Sequence, residues 1–180
     1  LEAHLAVDRS RAASSGRHRL RPALKSLLRR VVPGWIRDWR ATRFRARVDR
    51  VTPRVVAAAN GRVIGGPFSG MHYVRRSHCS QLAPKLLGTY EREWHDVLAD
   101  LVSSAPDRIV DAGAAEGYFA VGLLRLMPSA SVVAFEAESA ARADLLALAA
   151  LNGFTERLDA RGRCDAPELA GVLEASSNPL

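Results

Sequence analysis

The run Val110-Asp111-Ala112-Gly113-Ala114-Ala115-Glu116-Gly117-Tyr118-Phe119 sets an acid at the end of an apolar stretch, then a glycine-containing turn, then the start of a helical pattern. Gly113 admits backbone conformations closed to other residues and lets a ligand come close to the main chain. The N–H groups that open the following helix carry partial positive charge, which suits a carboxylate or a phosphate. A second acid, Glu136, ends the stretch Val132-Val133-Ala134-Phe135 nineteen residues after Gly117. A carboxylate at such a strand end can accept both hydroxyls of a ribose. These residues therefore offer binding of a nucleoside-bearing cofactor. The dinucleotide pattern G-x-G-x-x-G, aligned on Gly113, needs glycine at 111 and 116, where the chain has Asp111 and Glu116, so that cofactor class is excluded.

The elements that must hold these residues alternate between strand and helix signals from residue 107 onward. Arg108 to Asp111 reads as a short buried strand, Gly117 to Leu126 as a helix, Ser131 to Phe135 as a second strand and Ser139 to Asn152 as a second helix. Ser139 is an acceptable N-cap, and Gly153 sits where a left-handed cap belongs. Leu158 to Gly162 is a weaker third strand, and Ala166 to Glu174 a helix with Pro167 in its first turn. Such a β-α-β-α-β-α run with short connections predicts a doubly wound, Rossmann-like parallel sheet with helices on its faces.

Two zones precede it. Residues 55–106 form a lead-in: a hairpin-like run, Arg62-Val63-Ile64, Gly65-Gly66-Pro67, Met71-His72-Tyr73, and then a helix from Leu86 to Val102 with Leu87, Tyr90, Trp94 and Leu98 in a stripe. Residues 1–54 are Arg-rich. They hold 15 Arg and Lys against 4 Asp and Glu, whereas the whole chain carries a net charge of +7, so the basic balance belongs to this third alone. Leu24, Leu27, Leu28 and Val31 recur at helical spacing up to Pro33-Gly34, after which Trp35, Ile36 and Trp39 begin a second short helix. Three readings stay open for this extension: a solvated, partly disordered tail, contact with an acidic membrane surface through Trp35, Ile36 and Trp39, or a grip on RNA.

The composition, 48% apolar and 25% charged, excludes a wholly disordered or collagenous chain. Cys79 and Cys164 have no paired spacing, which excludes a disulfide framework and a Cys-rich zinc site and points to a reducing cytoplasm. No apolar run is long enough to span a membrane. His72, His78 and Cys79 lack a fourth ligand and regular metal spacing, so no metal is expected. Gly122 inside a helix has two readings, close helix–strand packing or a tolerated defect. The first residue is Leu1 and the last follow a loop-like Ala175-Ser176-Ser177-Asn178, so a fragment is expected.

The pattern D-x-G-x-x-x-G from Asp111 to Gly117, the acid Glu136 and the later Cys164-Asp165-Ala166 resemble the first three motifs of class I S-adenosylmethionine-dependent methyltransferases. Asp111-Ala112-Gly113-Ala114-Ala115-Glu116-Gly117-Tyr118-Phe119 with Ala134-Phe135-Glu136-Ala137 is similar to the FkbM-type branch, which often has proline where this chain has Ala137. Gly66 to Met71 and Pro84 to Glu91 also resemble segments ahead of the cofactor domain in uncharacterised proteins of that type. The resemblance spans about residues 62 to 175. It implies S-adenosylmethionine held through Asp111, Gly113, Ala114, Gly117, Tyr118, Glu136 and Asp165, with Asp111 and Gly113 at the methionine end, Glu136 at the ribose and Asp165 at the adenine. It implies methyl transfer to a hydroxyl of a small molecule or sugar, with an RNA acceptor as the alternative. The branch's fourth strand, with an acidic D-x-E-G-like motif, would begin near Leu180. Residues 107–180 are accordingly expected to be the N-terminal half of the methyltransferase domain, and the 180 residues to be inactive alone. Tyr90-Glu91 either closes over the methionine end or serves helix packing.

Overall fold

A computed structural model of the chain describes residues 34–174, with side chains from residue 42 onward. The expected helix over Leu24 to Val31 and the side chains of Trp35, Ile36 and Trp39 lie outside the described residues. Two compact units divide at Arg47 and Val48. Of the first, the described part is the opening half of helix α1, Gly34–Ala59. This helix is far longer than the short one the sequence suggests, and it runs on through the composition boundary at Arg54.

In the second unit the order is α2 (Leu82–Leu87), α3 (His95–Ser104), β1 (Arg108–Ala112), α4 (Tyr118–Leu126), β2 (Ser131–Phe135), α5 (Ser139–Leu151), β3 (Leu158–Arg161) and α6 (Ala166–Glu174). The three strands are parallel in the order β1-β2-β3. Ile109 pairs with Val132, Asp111 with Ala134, and Ala112 with Phe135. Because successive side chains of a strand point to opposite faces, β2 feeds two cores. Val132 and Ala134 join the main cluster, which contains Val121 and Leu124 of α4 and Leu145 and Leu148 of α5. Val133 and Phe135 meet Val172 of α6 on the other side. Helices therefore cover both faces, as the βα alternation requires. Among the described residues β1 pairs with β2 alone, so its outer edge carries no strand.

The lead-in departs from its periodicity. A single antiparallel bridge, Arg62 to His72, stands where a hairpin was expected. Ile64 N–H donates to the Leu86 carbonyl at 2.7 Å, leaving the hairpin for α2. The expected Leu86–Val102 helix is broken in two by Gly88, whose φ of 70° is left-handed and whose N–H donates back to Lys85. A Cβ on Gly88 would lie 1.8 Å from the Gly65 carbonyl oxygen. The close approach of the two backbones, which leaves no room for a side chain, outweighs the helical stripe, and Leu87 and Trp94 end up exposed.

Gly122 serves a different contact from helix–strand packing. Its missing side chain is filled by the ring of Phe68, three atoms of which would lie 2.6 Å from a Cβ. Phe68 is fully buried and meets Tyr118 edge-on at 5.1 Å and Phe119 at 6.0 Å. We expect Gly122→Ala to destabilise the fold by about 1–3 kcal/mol despite its better helix propensity. Phe68→Leu in the same chain should recover part of that loss in urea melts; additive losses would contradict the interlock.

Candidate active site

The C-terminal ends of β1 and β2 carry the candidate site. Asp111 is the fourth residue of β1, and Glu136 follows β2 by one position, so the register brings the two acids to neighbouring strand ends. Between them runs the loop Gly113–Gly117. Gly113 N–H and Ala114 N–H both donate to the Phe135 carbonyl, at 2.8 and 3.0 Å, and Ala115 N–H donates to Glu136 Oε2 at 2.8 Å. Glu136 Oε1 accepts from Glu138 N–H at 2.8 Å. Each carboxylate oxygen still has a second lone-pair direction for a ligand donor.

Gly113 has a φ of +89°, and a Cβ there would meet nothing within 4 Å. Backbone at this point is open to close approach. Gly117, with a φ of +94°, precedes α4, and a Cβ on it would strike Leu145 Cδ1 at 2.4 Å. Thus the first glycine faces open space and the second faces the core.

Asp111 does two things at once. Its carboxylate accepts the backbone N–H of Ala120 in the first turn of α4, which is helix capping. Its Oδ2 is buried and has no hydrogen-bond partner. Burial, and to a lesser degree the charge of Glu136, push its pKa up to about 6, against the effect of the Ala120 bond. An acid held with an orphaned oxygen is costly unless a cationic or donor group of a ligand completes it. Tyr118, 3% exposed, also has a hydroxyl without a partner, and burial beside Tyr90 raises it to about 12.

Asp165 stands apart from this group. It is exposed, and its Oδ1 accepts Glu168 N–H at 2.9 Å, capping α6. The site thus gathers Asp111, Gly113, Ala114, Gly117, Tyr118 and Glu136, while Asp165 is engaged in ending the loop after β3.

Sequence reasoning missed Glu116, which it treated only as a mismatch to the dinucleotide pattern. Glu116 is fully buried. Its Oε1 pairs with the ammonium of Lys85, itself 3% exposed, and accepts the hydroxyls of Tyr73 and Ser77 at 2.8 Å each. Its Oε2 accepts His78 N–H at 2.9 Å. Burial alone would raise this carboxyl, but the Lys85 bond and charge, with the His78 and Tyr73 donors, hold it below the usual range. The lead-in is thereby clasped to the loop that carries Gly113 and Gly117. Two further ties hold it to α5 and its cap: His78 Nε2 lies 2.8 Å from Asp144 Oδ2, and the Asn152 side chain exchanges two 3.0 Å hydrogen bonds with the His72 backbone.

Tyr90 and Glu91 lie in a turn and not on a helix. The Tyr90 ring packs on Tyr118 at 5.5 Å and under the Lys85 ammonium at 4.8 Å. Glu91 has a φ of +47°, the left-handed region. Tyr90 is hydrogen-bonded to the side chains of Glu91 and Ser80, and Ser80 in turn lies 3.0 Å from Ser77.

No protein-family model matches the chain. No curated protein matches it either. Among solved structures, the chain is similar to the O-methyltransferase TomG from Streptomyces achromogenes, which is involved in tomaymycin synthesis and was crystallised in complex with SAM. The identity is 17% and the TM-score 0.40, over 58% of this chain and 43% of that one. A putative O-methyltransferase from Klebsiella pneumoniae is similar at 18% identity and a TM-score of 0.38, over 86% of this chain and 53% of that one. The chain spans about half the length of these structures or less. At such identities and scores the likeness decides nothing about function, which rests on the geometry above.

Two outcomes follow from that geometry. Glu116→Gln and Lys85→Met should each cost about 3–5 kcal/mol by stranding a buried charge, whereas the double variant should cost much less than their sum. Additive costs in a double-mutant cycle would contradict a direct pair. Asp111→Asn keeps the acceptor for Ala120 and removes the misplaced charge. Because the carboxyl is raised from 3.8 to about 6, the stability of the native chain is full below its ordinary pKa and falls as pH rises through about 6. The variant should therefore be more stable by about 2–3 kcal/mol near pH 8, and the gain should vanish near pH 4. A gain independent of pH in thermal melts would disprove this origin.

Proposed function

We propose that the chain is the cofactor-binding half of an S-adenosylmethionine-dependent methyltransferase of the FkbM type, acting on a hydroxyl of a small molecule or sugar. The observation that carries this reading is the pair Asp111 and Glu136 at neighbouring strand ends around a glycine loop, with Asp111 Oδ2 buried and unpartnered. The residues present fit this cofactor. An orphaned carboxylate suits an ammonium, the open face of Gly113 suits close approach of the amino-acid end, and Glu136 keeps acceptor capacity for a ribose. S-adenosylmethionine supplies a methyl already activated on a sulfonium.

The chain's own residues then bind and orient. Asp111 and Gly113 take the methionine end, with Ala114, Gly117 and Tyr118 shaping the loop. Glu136 would hold the ribose, and Asp165, whose Oδ1 caps α6, would serve the adenine through its other oxygen. Holding an acceptor oxygen in line with an activated methyl is the main demand on such a protein. The acceptor and the remaining wall of its pocket belong to the proposal for the whole protein, of which this chain supplies the cofactor side.

Calorimetry with S-adenosylhomocysteine, which has the same ammonium and ribose, tests the reading. Native chain should bind it and not NAD. Asp111→Asn and Glu136→Ala should each weaken binding by about tenfold or more, the loss expected for a charged hydrogen bond. Affinity should also fall as pH drops through about 6, where Asp111 takes up its proton. Absence of binding, or binding of NAD instead, would overturn the proposal. A variant at Asp111 that gains stability while losing affinity separates a binding role from a folding role.

A further inference from the structure

Helix α3 and the turn ahead of it expose an apolar strip that the core does not use. Leu98 is buried in the main cluster, and Val102 packs against that cluster from the next turn. Trp94 and Val97, by contrast, are 52% and 50% exposed. At about 100° per residue, Trp94, Val97 and Leu101 fall on one strip beside Leu98. Leu101 joins the strip to the core, against which it is partly buried. Glu93, Asp96 and Asp100 repeat the same spacing one position earlier and line the strip on its solvent side, all of them exposed. Among the described residues none of these three acids is ion-paired. Exposed Arg92 lies beyond the acidic row, away from the strip. Residues 91–104 hold four acids against one arginine, in a chain whose net charge is +7.

Charge decides what can cover this face. An anionic lipid surface or a nucleic acid would meet three carboxylates at the edge of the strip. Among the described residues no helix is long and apolar enough to cross a membrane. A second copy of α3 laid antiparallel would bring like flanks together and set acid against acid. An amphipathic helix with Lys or Arg beside an apolar stripe satisfies both rows. Its cations meet Glu93, Asp96 and Asp100 while its apolar side covers Trp94, Val97 and Leu101. The strip runs for two turns, about 10 Å, a length over which one helix can lie along another.

We propose that the Trp94–Val97–Leu101 strip and its acidic flank form a docking surface for a basic amphipathic helix of a partner protein. The contact does not rest on the cofactor reading and is measured without cofactor. The probe is a fluorescent leucine–lysine amphipathic peptide of about 18 residues, long enough to hold a helix. Its anisotropy is followed as the full chain is added, at low and high salt. The peptide should bind and be released by salt. A scrambled peptide of the same composition, and one with glutamate for every lysine, should not bind. Trp94→Gln/Val97→Gln leaves the charge unchanged and should weaken binding by about tenfold. Glu93→Gln/Asp96→Asn/Asp100→Asn should weaken it by about fivefold and flatten its salt dependence. These acids are exposed, so thermal melts of the amide variant should match the native chain and keep the test valid should the glutamine pair unfold. Absence of binding, equal binding of the scrambled peptide, or binding that ignores the amide variant overturns the proposal. Self-association, or pelleting with phosphatidylglycerol vesicles, that is lost in Trp94→Gln/Val97→Gln while the peptide is ignored overturns it in favour of that occupant.

Discussion

A lysine and a glutamate sealed from water hold the two halves of this site's surroundings together. Lys85 and Glu116 come from segments that share no strand, and neither can be removed from water cheaply. Their arrangement is tolerable because every side of the carboxylate is occupied: ammonium, two hydroxyls and a backbone N–H. The aromatic ring system of Phe68, Tyr73, Tyr90, Tyr118 and Phe119 closes around the pair and excludes solvent from it. Docking of the lead-in is therefore specific in register, since a slip of one residue would strand a charge. It also fixes the loop between Gly113 and Gly117 from behind, leaving only its outer side open to a ligand.

Legibility varied along the chain for identifiable reasons. The strands and helices from Arg108 to Glu174 could be read from the sequence, because each is short, locally periodic and ended by its own punctuation, such as Asn152-Gly153. The lead-in could not, because its form is dictated by partners far away in sequence. Gly88 breaks a good amphipathic pattern to lie on Gly65 and Gly66, and His72, bridged to Arg62 on one side, gives its backbone N–H and carbonyl to the Asn152 side chain on the other. Glu116 was hidden for another reason: in the loop pattern it occupies a position free to vary, and nothing local marks it as buried. One signal was present. In a chain whose cations are almost all arginine, Lys85 is one of two lysines. A compact ammonium in a closed pocket is where arginine cannot substitute.

The acids illustrate how one motif can serve folding and ligand at once. Asp111 spends one interaction on the first turn of α4 and withholds an oxygen. Glu136 secures Ala115 and its own following turn, and so shapes the loop that the ligand would meet. Asp165 has gone furthest toward the structural role, as a helix cap in an exposed position.

Phe68 fills the space that Gly122 leaves on α4, although the two belong to different segments of the chain. Neither residue touches the acids, yet the ring seats the lead-in against the helix that follows the glycine loop. Such a lock constrains descent as much as stability. A side chain gained at 122 presses on the ring at 68, and loss of the ring leaves a void beside Tyr118. The cost of a change at either position thus depends on the other, so that the lead-in and the helix behind the glycine loop are tuned as one object.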